Sequence, residues 1–346
     1  MKFVARLFGR LISHSSALST AEALVRADPH LPDAQALFLG KFVKSQSVAK
    51  IAASDVTVRN WVSALGDELQ NVVKELEKKN LLVRPSLASR LEGDFTLVEL
   101  KNLCRQRFLK TMGKKADMAS RLADFGGDDL EALAPLEDRY ICSTSGREAV
   151  EAYKLRKKSQ KYEAQSKSAD LLDAHDFERA ARLVCRYEFQ QVFPRGIGVD
   201  WESGTVGLAA VKEIYSVEKY FLRNVSADNL ENIRLLAALD ELWGEDVDLI
   251  PNRDIEVPGC RFNLGIAARQ LRLHYSDSPG SLAFRSGEAP IVMEYLAAHG
   301  DCSACMARNG KRYPLNGVPE LPSEDCTCEF GCRCTFAAIM NDGVVD

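Results

Sequence analysis

Six of the ten cysteines fall in one short stretch, as Cys302-x2-Cys305, then twenty residues, then Cys326-x-Cys328-x3-Cys332-x-Cys334. A CxxC pair lets two thiolates turn onto one ion, and a second cluster some twenty residues on completes a tetrahedral four-sulfur site. The chemistry is therefore metal coordination, with zinc the expected ion and Cys302, Cys305, Cys326, Cys328, Cys332 and Cys334 the candidate ligands. Six thiols exceed the four that one zinc takes, so either two are spare or two ions share bridging sulfurs. Clustered disulfides are the competing reading, and they belong to oxidising compartments. The remaining cysteines, Cys104, Cys142, Cys185 and Cys260, are scattered.

A second constellation is electrostatic. Residues 95–125 carry seven basic and three acidic side chains, a net charge of +4, and residues 147–167 carry the same excess, whereas the whole chain is at −4. An acidic body with two local basic patches suits a site-restricted contact with nucleic acid better than a general one. The candidates in the first patch are Lys101, Arg105, Lys110, Gly113, Lys114, Lys115 and Arg121. The second patch, with Lys154, Arg156, Lys157, Lys158 and Lys161, reads as a phosphate-tracking helix, an import signal, or a solvated helix face, the last being the commonest use of such a run.

Catalytic signals are poor. The histidines His14, His30, His175, His274 and His299 lie far apart, with neither an HExxH pair nor a Gly-x-Ser-x-Gly turn. A cryptic active site in 170–300 would draw on Asp200, Glu202, Glu213, Asp240, Glu241, His175 and His274, because catalytic groups are assembled in space and not along the chain. The reading favoured by the residues is a binding scaffold there and no enzyme.

Helices must position the basic groups. Thr96 with Glu99 three residues on forms a capping box and starts a helix whose apolar face is Leu97, Leu100 and Cys104. Gly113 interrupts it, Met118, Leu122 and Phe125 give a second stripe, and Gly126-Gly127 supplies the stop. Lys114 and Lys115 then stand beside the free N–H groups of the second helix, a cradle for phosphate. The runs Phe95-Thr96-x-x-Glu99-Leu100-Lys101, Gly113-Lys114-Lys115-Ala116-Asp117-Met118 and Arg121-Leu122 resemble the SAP motif, a helix-loop-helix that in its family binds DNA, often A·T-rich. The resemblance covers residues 95–125 and departs where the family usually ends its first helix with a Gly-Leu pair, here Arg107-Phe108. It implies duplex DNA as a partner.

The rest of the chain reads as mainly α. Residues 47–66 resemble the helix-turn-helix of many regulators, with a turn shorter than usual; the preferred reading puts Trp61, Val62 and Leu65 in a core. The helix over 67–80, with Leu69, Val72, Val73 and Leu76 inward and Asn80 as a left-handed cap, leads into a strand at 81–83, which is how a winged helix proceeds. Residues 139–145 are extended, and a long helical stretch runs from Gly146 to about Phe193. Ser226 caps a helix ended by Gly244, and further helices are predicted over 261–275 and 287–299. Between Asn309-Gly310 and Asn316-Gly317 a small hairpin is expected. The tail also resembles, over about 35 residues, the cysteine-rich ending of some phage minor head or head-morphogenesis proteins, which would make the chain a head-assembly protein.

No apolar run reaches the length of a membrane span. The start, MKFVARLFGRLISHSS, is basic and amphipathic but has no apolar h-region, and is expected to be a surface helix. The expected organisation is mainly α and multi-domain: residues 1–92 helical with winged-helix character, 93–127 a SAP-like hairpin, 128–300 a helical domain through which a protein partner would bind, and 301–336 a zinc knuckle. The expected function is to bind DNA and tether another activity to it, in the cytoplasm, nucleoid or nucleus. The rivals are a nucleic-acid-processing enzyme and a phage-type assembly protein.

Overall fold

The computed structural model describes residues 31–219, 222–223, 225–244, 247, 254–257, 260–276, 292–328 and 332–339. The surface helix expected at the start of the chain, His14 and His30 lie outside the described residues. The protein is mainly α and multi-domain, with fourteen α-helices and eight short strands among the described residues. It forms two compact units, Met1–Ser159 and Gln160–Asp346.

The first unit is built on two cores. The larger gathers Phe38, Leu39 and Phe42 from α1 (Asp33–Leu39) and the turn after it, Val48 and Ile51 from α2 (Val48–Ile51), Trp61 from α3 (Asp55–Leu65), and Leu69, Val72, Val73 and Leu76 from α4 (Leu69–Lys78). The spacing i, i+3, i+4, i+7 on α4 puts its four apolar side chains on one face, and all four are buried. Trp61 is core, as its placement among apolar neighbours requires, and its ring meets Phe38 edge-on at 5.2 Å. Asp33 is the first residue of α1, and Arg156 engages its carboxylate at 2.6 Å.

Three strands close this core. β1 (Gln46–Ser47), β2 (Leu82–Val83) and β3 (Arg139–Cys142) form one sheet in the order β1-β3-β2, both pairings antiparallel, with Leu82 opposite Cys142. The chain therefore leaves the sheet at Val83, makes a separate helical excursion, and returns to pair beside the strand it left. Tyr140, Cys142, Ala149 and Val150, though far along the chain, complete the same core. Gly146, in the first turn of α9 (Thr144–Asp173), lies against the Leu81 carbonyl so closely that a Cβ would overlap it.

The excursion holds α5 (Leu87–Asp94), α6 (Leu97–Gln106), α7 (Lys115–Phe125) and α8 (Asp128–Leu133) around the second core of Leu91, Leu100, Cys104, Met118, Ala119, Leu122, Leu130 and Ala134. The buried Arg90 ties its two ends together, donating to the Ala134 carbonyl at 2.7 Å and to Glu131 at 2.6 Å. Two residues of the predicted stripes are not in this core. Leu97 is the first residue of α6 and Phe125 the last of α7, and both are exposed because the helix ends overhang the packed middle.

In the second unit α12 (Ala227–Trp243) is buried on almost every side, from Ile233 to Trp243, which marks it as the central helix. Ser226 and Gly244 bound it as expected, the serine accepting from the Asn229 N–H and the glycine at φ 66°. Around it run α10 (Phe177–Phe189), α11 (Leu208–Ser216) and α13 (Leu264–Ser276), and Trp243 donates to Ser168 of α9 at 3.0 Å. The long helical stretch expected from Gly146 to about Phe193 is divided after Asp173, where His175 turns left-handed at φ 58° and Asp176 caps α10. A hairpin of β4 (Asp254–Val257) and β5 (Cys260–Asn263) precedes α13.

The helix expected over 287–299 is replaced, in its described part, by a strand, β6 (Val292–Leu296), at the centre of a sheet in the order β7-β6-β8. Its burial alternates, with Met293 and Tyr295 inward, and a period of two overrides an ambiguous short apolar run. The hairpin expected between the two asparagine-glycine turns is not formed either. Its middle, β7 (Arg312–Pro314), pairs with β6, and β8 (Thr335–Ile339) flanks β6 on the other side. No helix among the described residues is long and apolar enough to cross a membrane.

Candidate nucleic-acid interface and metal centre

The capping box at the start of α6 is formed in both directions. The Thr96 hydroxyl accepts from the Glu99 N–H at 3.3 Å, and the Glu99 carboxylate accepts from the Thr96 N–H at 2.6 Å. That backbone donor holds the Glu99 carboxyl below its ordinary pKa. At the other end of α6, the Phe108 N–H donates to Arg105 and the Leu109 N–H to Cys104, with Phe108 at φ 55°. These two bonds and a left-handed residue between them define a Schellman turn. The helix-ending pair is thus Phe108-Leu109 and not Arg107-Phe108. Leu109 packs onto the second core, while the Phe108 side chain is 99% exposed.

The loop that follows is held by Arg121, whose guanidinium donates to the Lys110 carbonyl at 2.8 Å, and by Gly113 at φ 114°, where a Cβ would press on the Asp117 carboxylate. Both were candidate contacts; both are occupied in shaping the loop. Lys110 and Lys114 are exposed, with Lys101 and Lys115 partly so, and Arg105 is exposed with one nitrogen on Asn102 at 2.8 Å. The expected phosphate cradle carries one feature not read from the sequence. The Asp117 carboxylate accepts from the Lys114 N–H at 2.8 Å, so one backbone donor at the start of α7 already has an anionic partner. A phosphate there would meet the Lys115 and Ala116 N–H groups and the lysine side chains. The loop also exposes Met112, at 81%. The signal for these exposed apolar groups was their position among basic residues, off either helical stripe.

In the second basic run Arg156 and Lys157 both engage Asp33, Lys154 pairs with Glu151 and Lys167 with Glu163. These four side chains are thereby tied to their own unit or to their own helix.

The cysteines converge. Cys302 caps α14 (Ser303–Met306), Cys305 sits on it, and their sulfurs lie with those of Cys326 and Cys328 all within 4.8 Å of one another. Cys305, Cys332 and Cys334 form a second set within the same limit. The described sulfurs approach at 3.6 to 4.0 Å and carry no disulfide, whose S–S bond is about 2.05 Å. Backbone N–H groups point at two of them: Cys302 donates to the Cys328 sulfur and Thr327 to the Cys302 sulfur, each at 3.3 Å. The Cys332 thiol donates to Cys326 and holds it down to about 5, whereas burial pushes Cys328 up to about 12. Donors that favour a thiolate, in a packed and water-poor cluster, are what a metal site needs. All six candidate ligands are therefore brought together, and the group could hold a metal ion.

Two neighbours of the cluster were not singled out from the sequence. Asp301, its side chain 1% exposed, lies 3.3 Å from the Cys334 sulfur and pairs with Arg333. The buried Tyr295 hydroxyl lies beside the Cys334 and Cys305 sulfurs. Adjacency to Cys302 was a signal for Asp301, but Tyr295 required knowing that β6 is a strand.

Four of the acidic and histidine groups singled out in the middle region have other partners. Asp200 accepts from the backbone of Glu202 and Ser203, Asp240 accepts from Val247, Glu241 pairs with Arg272, and His175 lies 3.5 Å from Glu231. The side chain of His274 lies outside the described residues.

Residues 93–125 match the SAP domain. The match spans the end of α5, α6, the loop and α7, and it points to DNA binding in general terms. No curated protein and no solved structure shows significant similarity to the chain. The resemblance of the tail to phage head proteins gains no support from these comparisons.

Proposed function

We propose that the chain binds duplex DNA through its phosphates, using the hairpin of α6 and α7, and that the second unit tethers a protein partner or a further activity to that DNA. The observation that carries this reading is the SAP match over residues 93–125, whose loop exposes Lys110 and Lys114. Lys101, Arg105, Lys110, Lys114 and Lys115 supply the phosphate contacts, and Gly113 and Arg121 hold the loop in shape. Each phosphate neutralised contributes just under one unit to the slope of log K against log salt. The double substitution Lys114→Glu with Lys115→Glu should weaken mobility shifts of duplex DNA and lower that slope by about two units. An unchanged affinity and slope would remove the hairpin from the contact.

For the cysteine cluster we propose zinc, since all-thiolate tetrahedral sites favour it over harder cations. Its role is structural: it holds the tail on the β7-β6-β8 sheet. Metal analysis of the purified chain tests this, and a protein with less than about half an equivalent of zinc would count against it.

A further inference from the structure

The two groups of sulfurs are not independent, because Cys305 belongs to both. A zinc ion with bonds of about 2.3 Å to four sulfurs spaces them about 3.8 Å apart along each edge of its tetrahedron. The Cys305 sulfur lies 3.6 Å from Cys326, 4.0 Å from Cys328 and 3.9 Å from Cys332. Each of these is an edge length, and the first two lead to one group while the third leads to the other. A thiolate sulfur has more than one lone pair to give and can bind two cations at once.

A single ion in the first group would leave Cys332 and Cys334 without a task. Both are buried, and the Cys334 sulfur lies 3.3 Å from the buried Asp301 carboxylate. A second ion gives both sulfurs a role and sets a cation beside that carboxylate.

We infer that the tail holds two divalent metal ions bridged by the Cys305 thiolate, one ion on Cys302, Cys305, Cys326 and Cys328, the other on Cys305, Cys332 and Cys334. The inference rests on the tail binding metal at all, and deepens that reading by fixing its stoichiometry and its shared ligand.

The test uses the full chain, purified under reducing conditions. Native mass spectrometry should show two zinc ions per chain, and the six cysteines from 302 to 334 should resist alkylation until the protein is denatured with chelator. After exchange with cadmium-113, the metal spectrum should show two resonances in the thiolate-rich range, split by coupling across the bridging sulfur. Cys334→Ser should bring the chain to one ion and Cys305→Ser to none. One ion in the native chain with two alkylatable thiols, or two cadmium resonances without mutual coupling, overturns the bridge while leaving metal binding intact. No metal in the native chain overturns the metal reading itself. Should Cys305→Ser fail to fold, the cadmium coupling in the native chain decides alone.

Discussion

Phe108 occupies a position where the backbone demands a left-handed conformation, which costs an L-residue about 1 kcal/mol or more and glycine almost nothing. Its side chain recovers none of that cost, being exposed. Phe108→Gly is therefore expected to stabilise the hairpin by about 1 kcal/mol, seen as roughly fivefold greater amide protection across α6 and α7 in hydrogen exchange. Gly146 is the opposite case. A Cβ there would displace the Leu81 carbonyl next to β2, so Gly146→Ala should destabilise the first unit by about 1 to 3 kcal/mol, as core overpacking does, read as a lower urea midpoint. Glu99 adds a pH dependence. Its folded pKa is depressed by the Thr96 N–H, so its contribution is present above the ordinary carboxylate pKa and is lost as pH falls through the lowered value. Amides in the first turn of α6 should lose protection over that acid range, and Glu99→Gln should flatten the profile.

At the scale of elements, the hairpin is carried on the connection between two strands that lie side by side. Leu82 and Val83 pair with Cys142 and Ile141, and Asp138 accepts from the Val48 and Ala49 N–H groups through its carbonyl and carboxylate. Because the excursion has its own core, replacing residues 87–136 by a short glycine-serine turn should leave the first core folded. Retained cooperative unfolding of that core together with lost mobility shift is the expected result. Retained shift would place the DNA contact elsewhere, with the basic run on α9 the next segment to test.

At the scale of the whole molecule, the SAP hairpin and the cysteine cluster belong to different compact units. Zinc knuckles draw much of their folding free energy from the ion. Chelation of the full chain should accordingly expose the amides of β6, β7 and β8 to exchange while the SAP hairpin and its DNA affinity stay unchanged. Loss of DNA binding on chelation would mean that the tail takes part in it.

What the amino-acid sequence determined by itself was local. The capping box at Thr96, the α4 stripe, the caps of α12, the left-handed Asn80 and the grouping of six cysteines each depend on residues a few positions apart, where side-chain period and backbone preference decide. The SAP hairpin was legible for the same reason, since its motif is two adjacent helices and one loop. Tertiary structure decided the rest. The left-handed turns at Phe108 and His175 put non-glycine residues where glycine is most at ease, and each is closed by N–H groups that donate back to the preceding helix. The strand at 292–296 forms because β7 and β8 offer it backbone partners on both edges, which no window of sequence contains. The pairing of β2 with β3 across more than fifty residues, and the sharing of Cys305 between two sets of sulfurs, are distances in space between groups whose separation along the chain carries no such information.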